Sequence, residues 1–141
     1  MTNQKSLFKI VLFALTVIYV GVVFAQKRAA WTAPTADAAK KNPIAATPAS
    51  IAEGKKLYDQ NCSPCHGMKG KGDGAAAAGL TIKPANHTSP EIQSQTDGTL
   101  FWMITTGRNP MPTYKAVFTE NQRWAMVNYI RTLAAPAKTK K

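Results

Sequence analysis

Both cysteines of this chain fall inside five residues, Cys62-Ser63-Pro64-Cys65-His66, and that stretch limits what the remainder can be. Two thiols three residues apart on one turn, followed at once by an imidazole, have the form C-x-x-C-H, the attachment signature of a c-type haem. Each thiol can add to a vinyl group of the porphyrin, and His66 then stands beneath the iron as the proximal ligand. Other fates of the pair fit less well. A zinc site would need Cys62, Cys65, His66 and the distant, partnerless His87, which is not the spacing of a finger or ribbon. A thioredoxin-like dithiol follows a strand, whereas the residues before Cys62 read as helical and those after His66 are rich in glycine. A disulfide across so short a ring would constrain little of the unfolded chain.

The chain has 141 residues, enough for one domain with appendages. A buried porphyrin would supply much of the apolar interior, so about 90 residues suffice for the domain. Residues 10–25 carry no charge and make a helix of about 24 Å at 1.5 Å per residue, on the border between a signal peptide and a membrane span. Val23-Phe24-Ala25 resembles a cleavage site, while Lys27 and Arg28 behind it suit an interfacial anchor, so residues 1–25 are either a membrane anchor or a cleaved signal. Covalent haem attachment takes place outside the bacterial cytoplasmic membrane. The domain is therefore expected on that membrane and facing the periplasm, where haem also spares the thiols from disulfide formation. Residues 26–47, rich in Ala, Pro, Thr and Lys, read as a tether about 25 Å in reach, or as a segment ordered along a larger complex.

From residue 48 the pattern becomes helical. Ser50-Ile51-Ala52-Glu53 has the form of a capping box and predicts a helix to about Gln60, with Gly54 permitting close packing beside Leu57 and Tyr58. Residues 67–74 are too rich in glycine for a helix and lack the ending of a phosphate loop. Residues 80–87 read as extended. A helix is expected over residues 97–106, capped by Asp97 or Thr96 and ended by Gly107. Pro110 and Pro112 then hold Met111 in a stiff loop. Thr119 to Gln122 forms a second capping box before a helix rich in aromatic residues that runs to about Leu133, and residues 136–141 form a basic tail.

The order of Gly54 and Tyr58 on a first helix, then CSPCHG, a loop of lysines and glycines, the pair Met111-Pro112 and a closing aromatic helix resembles a class I mono-haem cytochrome c over residues 48–135. That resemblance implies an all-α cytochrome c fold of about three to four helices around one covalently bound haem, here preceded by an N-terminal transmembrane or signal helix. It also implies that Met111 is the distal sulfur ligand to the haem iron. Met68 lies too near His66 to reach the opposite haem face, and Met103 and Met126 fall on helices among apolar neighbours. Pro84 matches the family proline whose carbonyl accepts from the proximal imidazole, though an ordinary turn proline would look the same. His87 is expected as an exposed loop residue.

Iron held by both His66 and Met111 has no open position for a substrate, which favours electron transfer over catalysis. From residue 48 onward twelve Lys or Arg stand against six Asp or Glu, a formal +6. Lys69, Lys71, Lys83, Arg108 and Lys115 are expected near the haem rim, where they either steer acidic redox partners or serve general solubility. Basic residues scattered without a recognition motif do not suit nucleic acid. The expectation is a membrane-tethered carrier of single electrons between a quinol-oxidising complex and a terminal oxidase. The alternatives are a fixed haem subunit of a larger respiratory or photosynthetic complex, or a five-coordinate haem enzyme or sensor should Met111 not bind.

Overall fold

In a computed structural model that describes residues 30–134, six α-helices and one 3-10 turn follow one another, and among the described residues there is no strand. The helices are α1 (Thr35–Ala38), α2 (Pro48–Asn61), α3 (Ser63–His66), α4 (Pro90–Gln93), α5 (Asp97–Thr106) and α6 (Glu120–Thr132), with the 3-10 turn at Ala75–Gly79 between α3 and α4. Three of them, α2, α5 and α6, are longer than a single turn, and the rest are brief turns that place loops.

Local chemistry explains where the long helices begin. α2 starts earlier than Ser50. Thr47 is its cap, Pro48 occupies the first turn where no N–H is needed, and Ser50 returns the bond to the Thr47 N–H at 3.1 Å. Glu53 plays no part in that box. Thr96, rather than Asp97, caps α5 by accepting from Thr99 N–H at 3.1 Å, and α5 ends at Gly107. The Thr119 and Gln122 box opens α6 as expected.

The main interface joins α2 to α6. A Cβ placed on Gly54 would lie 2.0 Å from the Ala125 carbonyl oxygen, so the helices meet backbone to backbone and only glycine fits there. Around that crossing Tyr58, Met126, Val127 and Trp124 are almost wholly buried, and Leu100, Phe101 and Ile104 of α5 complete the core. Each such side chain contributes about 1.5–3 kcal/mol by leaving water. Phe101 stacks on Trp124 with centroids 4.0 Å apart. Arg131 locks the end of α6 to the start of α5, its Nε donating to Asp97 at 2.8 Å and another nitrogen to the Gln93 carbonyl at 2.9 Å.

The tether expected over residues 26–47 is corrected by the structure from Thr32 onward, because that part belongs to the same compact unit as the helices. Asn42 donates to Asn128 at 2.8 Å, and Asn128 donates to the carbonyl of Ile44 at 3.0 Å and to the Ser50 hydroxyl at 3.2 Å. Thr96 donates to the Ala38 carbonyl at 2.7 Å, and a Cβ on Gly98 would strike the Asp37 carbonyl at 2.2 Å. A segment without helical periodicity is thus strapped to α5 and α6 through its backbone carbonyls and the Asn42 side chain. The anchor or signal expected at residues 1–25 and the tail at 136–141 lie outside the described residues. Among the described residues no helix is long and apolar enough to cross a membrane.

Candidate haem-attachment site

Cys62 ends α2 and opens α3, so the attachment turn grows directly out of the first long helix. Its N–H donates to the Tyr58 carbonyl at 2.8 Å, and its own carbonyl accepts from Cys65 and His66 at 3.1 and 2.8 Å. The downstream loop folds back over the turn, with Gly72 N–H on the His66 carbonyl at 2.8 Å and Gly74 N–H on the Cys65 carbonyl at 3.1 Å. Polar backbone that α3 is too short to satisfy is satisfied by that loop.

Both thiols are free and half-buried. Burial, reinforced by the neighbouring Cys65, pushes the Cys62 thiol up to about 12, so it stays neutral. His66 is buried, and its Nδ1 lies 2.9 Å from a backbone carbonyl. Burial lowers the affinity of this imidazole for a proton, partly offset by that hydrogen bond. With Nδ1–H donated, Nε2 keeps its lone pair for a metal.

The carbonyl in question belongs to Ala85, not to Pro84. The Pro84 carbonyl lies against Gly72 instead, where a Cβ would meet it at 2.6 Å. The role assigned to Pro84 therefore passes to its neighbour, and the proline only stiffens the approach.

His87 also departs from expectation. It is half-buried rather than exposed, its ring stacked on His66 with centroids 4.1 Å apart and planes 17° apart. Burial, with the adjacent His66 acting in the same direction, pushes its pKa down to about 3. Tyr58, which no exposed atom betrays, reaches this pair: its hydroxyl lies 3.2 Å from His87 Nδ1 and 3.2 Å from the Gly67 carbonyl.

Met111 sits in a tight loop closed by two bonds with Arg108, each 3.0 Å, and the Asn109–Pro110 peptide is cis. Gly107, at φ +62°, turns the chain out of α5, and a Cβ there would strike the Pro112 carbonyl at 2.4 Å. Met111 and Cys62 are both half-buried against the same core. Tyr114 links the two segments, donating from its hydroxyl to the Asn61 carbonyl at 3.0 Å. Its pKa is raised to about 12, first by burial and then by Cys62 and Cys65. The sequence carries one sign of this residue, a tyrosine closing a proline-rich loop, but nothing in it ties that tyrosine to the cysteines.

The donor set fits a covalently attached haem: two thiols on one turn, an imidazole with one nitrogen oriented and the other available, and a thioether on a braced loop packed against the same core. Among the described residues no group of three or more His, Cys, Asp or Glu could hold a bare metal ion. An open cleft of about 630 Å³ lies beside the turn, with Ser63, Pro64, Lys69, Lys71 and Asp73 in its walls.

A family model described as cytochrome C oxidase, cbb3-type, subunit III, matches residues 49–130. No curated protein matches the chain. Among solved structures, a chain of the reducing HAO-like protein complex of Kuenenia stuttgartiensis is similar at 30% identity with a TM-score of 0.61. The alignment covers 66% of this chain and 47% of that one, so the present chain spans less than half the length of its structural relative. Because the family match runs from the start of α2 almost to the end of α6, takes in the CSPCH turn and the Met111 loop, and fills more than half of the sequence, the chain belongs to the cbb3-type subunit III family of cytochrome c domains.

Proposed function

We propose that the chain is a mono-haem electron carrier whose haem is bonded to Cys62 and Cys65 and whose iron is held by His66 and Met111, tethered to the bacterial cytoplasmic membrane with its haem domain facing the periplasm. The family's cofactor is covalently bound haem c with its iron, and its role is electron transfer. When bound, that group supplies a one-electron ferric and ferrous couple.

The observation that carries the residue assignment is the 2.9 Å bond from His66 Nδ1 to the Ala85 carbonyl. It fixes the tautomer, leaves Nε2 free, and makes the imidazole a better donor. Held from both sides, the iron would leave no place for a substrate, and a thioether in an apolar setting favours a high potential. The intact mass and an acid-acetone wash test the attachment together. A mass raised by one haem and pigment that survives the wash are expected, and a colourless wild-type protein would end this reading.

As partners we propose redox proteins with acidic docking patches, a quinol-oxidising complex on one side and a terminal oxidase or reductase on the other. Lys69, Lys71, Lys83 and Lys115 are exposed, the first two beside the attachment turn, and would steer such partners. No nucleic acid enters this scheme.

A second reading, the fixed haem subunit of a larger complex, is favoured by one feature of the fold. With residues 32–47 strapped to the domain, only residues 26–31 separate it from the apolar stretch. Purification in mild detergent separates the two: stoichiometric companions indicate the subunit, a lone haem protein of 15.2 kDa indicates the carrier.

A further inference from the structure

The electron-transfer reading uses His66 and Met111 and leaves His87 without a task, yet both its backbone and its ring are held. Its backbone N–H donates to the Gly70 carbonyl at 2.6 Å, and its carbonyl accepts from Gln93 Nε2 at 2.7 Å, an amide that also donates to the Ile130 carbonyl at 2.9 Å. Its ring meets Tyr58, wholly buried, edge to face at 5.7 Å, and Tyr58 is itself wedged against Tyr129 at 5.1 Å. The Tyr58 hydroxyl has one proton for two neighbours. When it donates to the Gly67 carbonyl, His87 Nδ1–H donates to its oxygen, and the tyrosine joins the attachment turn to the histidine. Even a methyl group on Gly70 would crowd the His87 Cβ at 3.1 Å and Leu133 at 2.8 Å.

The bond from Nδ1 to Ala85 directs one edge of the His66 ring, but a single hydrogen bond leaves the ring free to twist about the donor axis. A flat surface against its face removes that freedom, and His87 supplies it at 4.1 Å and 17°. Resting on the assignment of His66 as iron ligand, we propose that His87 is a positioning residue: its ring, held by Tyr58 on a backbone pinned by Gly70 and Gln93, sets the plane of the proximal imidazole. That plane fixes how the ligand's π orbitals meet those of the iron. His87 therefore shapes the electronic asymmetry of the ferric state without touching the iron.

The test uses the haem-bearing full chain and the hyperfine-shifted haem-methyl resonances of its ferric form, whose order and spread report the ligand plane. His87→Phe keeps a flat face and should keep the wild-type order and spread. His87→Ala removes the face and should change the spread or the order, with the far-ultraviolet circular dichroism unaltered. His87→Leu, which fills the space without a flat face, should behave like alanine and decides the matter if alanine does not fold. The proposal is overturned if the alanine or leucine variant retains covalent haem and the wild-type pattern, or if phenylalanine disturbs the pattern as much as leucine does. Failure of the underlying assignment looks different: a wild-type protein without covalent haem, or a His66→Ala variant whose ferric spectrum matches wild type.

Discussion

Gly54→Ala is the most searching test of the fold, because two effects of known size oppose one another there. Alanine is the better helix former by about 1 kcal/mol, and in an exposed helix the change would stabilise. Here the new Cβ would lie 2.0 Å from the Ala125 carbonyl oxygen, 2.6 Å from its carbon and 3.1 Å from Met126 N. Ordinary contact begins near 3.4 Å, so the nearest pair must separate by 3.4 − 2.0 = 1.4 Å. All three atoms are backbone, and no rotamer change relieves them, so α2 and α6 must move apart as bodies. A gap of about 0.5–1 Å forfeits a quarter to a half of each dispersion contact along the interface. Tyr58, Met126 and Val127 would all feel it. Overpacking of this kind costs about 1–3 kcal/mol and sometimes more, and with the lost contacts we expect a net destabilisation of about 2–4 kcal/mol. Urea unfolding of the haem-bearing protein, followed by circular dichroism, should show the midpoint falling by roughly 1–2 M, given a slope of about 2 kcal/mol/M. Gly79→Ala is the control, since a Cβ there would find no atom within 4 Å, and it should change stability by less than about 0.5 kcal/mol. If Gly54→Ala matched or exceeded wild type, the backbone contact between α2 and α6 would be wrong.

Other variants probe the site and the strap. Met111→His should keep the covalent haem and lower the potential by on the order of 0.1 V, within the roughly 0.8 V that axial ligands span, whereas Met103→Leu should leave the sulfur-to-iron absorption band in place; loss of that band in Met103→Leu alone would reverse the assignment. Asn128→Ala strips partners from Asn42, Ile44 and Ser50 and should cost about 1–3 kcal/mol while opening Lys40 and Lys41 to trypsin, and a wild-type protein cut there equally fast would refute the docked strap. Tyr114→Phe should cost about 1 kcal/mol and let added imidazole displace the sulfur ligand more readily, an outcome read from the visible spectrum; unchanged imidazole affinity would separate Tyr114 from the ligand loop. Electron exchange with an acidic redox protein should slow as salt rises, and a rate insensitive to ionic strength would remove the basic rim from the mechanism.

The features legible in the sequence are those that side chains encode over a few residues. The C-x-x-C-H turn, the Thr119 box and the break at Gly107 are of that kind, and so is the need for a small residue at position 54. Features carried by backbone direction are hidden. Whether Pro84 or Ala85 turns its carbonyl to His66 depends on dihedral angles that neither side chain announces. The strap is invisible in the sequence because it packs with carbonyls, Asn42 and Ile44, in a composition otherwise typical of linkers. His87 misleads for a related reason. A histidine in a polar loop looks solvated until Tyr58 and Gln93, 29 residues before it and 6 residues after it, are brought to its sides.

The meeting of α2 with α6 has a consequence for the order in which the molecule is made. The helix that covers α2, and the groups at positions 124 and 128 that Asn42 and the Ile44 carbonyl await, come later in the chain than the attachment turn. Cys62 to His66 emerge more than fifty residues earlier. A chain that has emerged only as far as His66 therefore leaves the α2 face open, and α6 is the element that covers it.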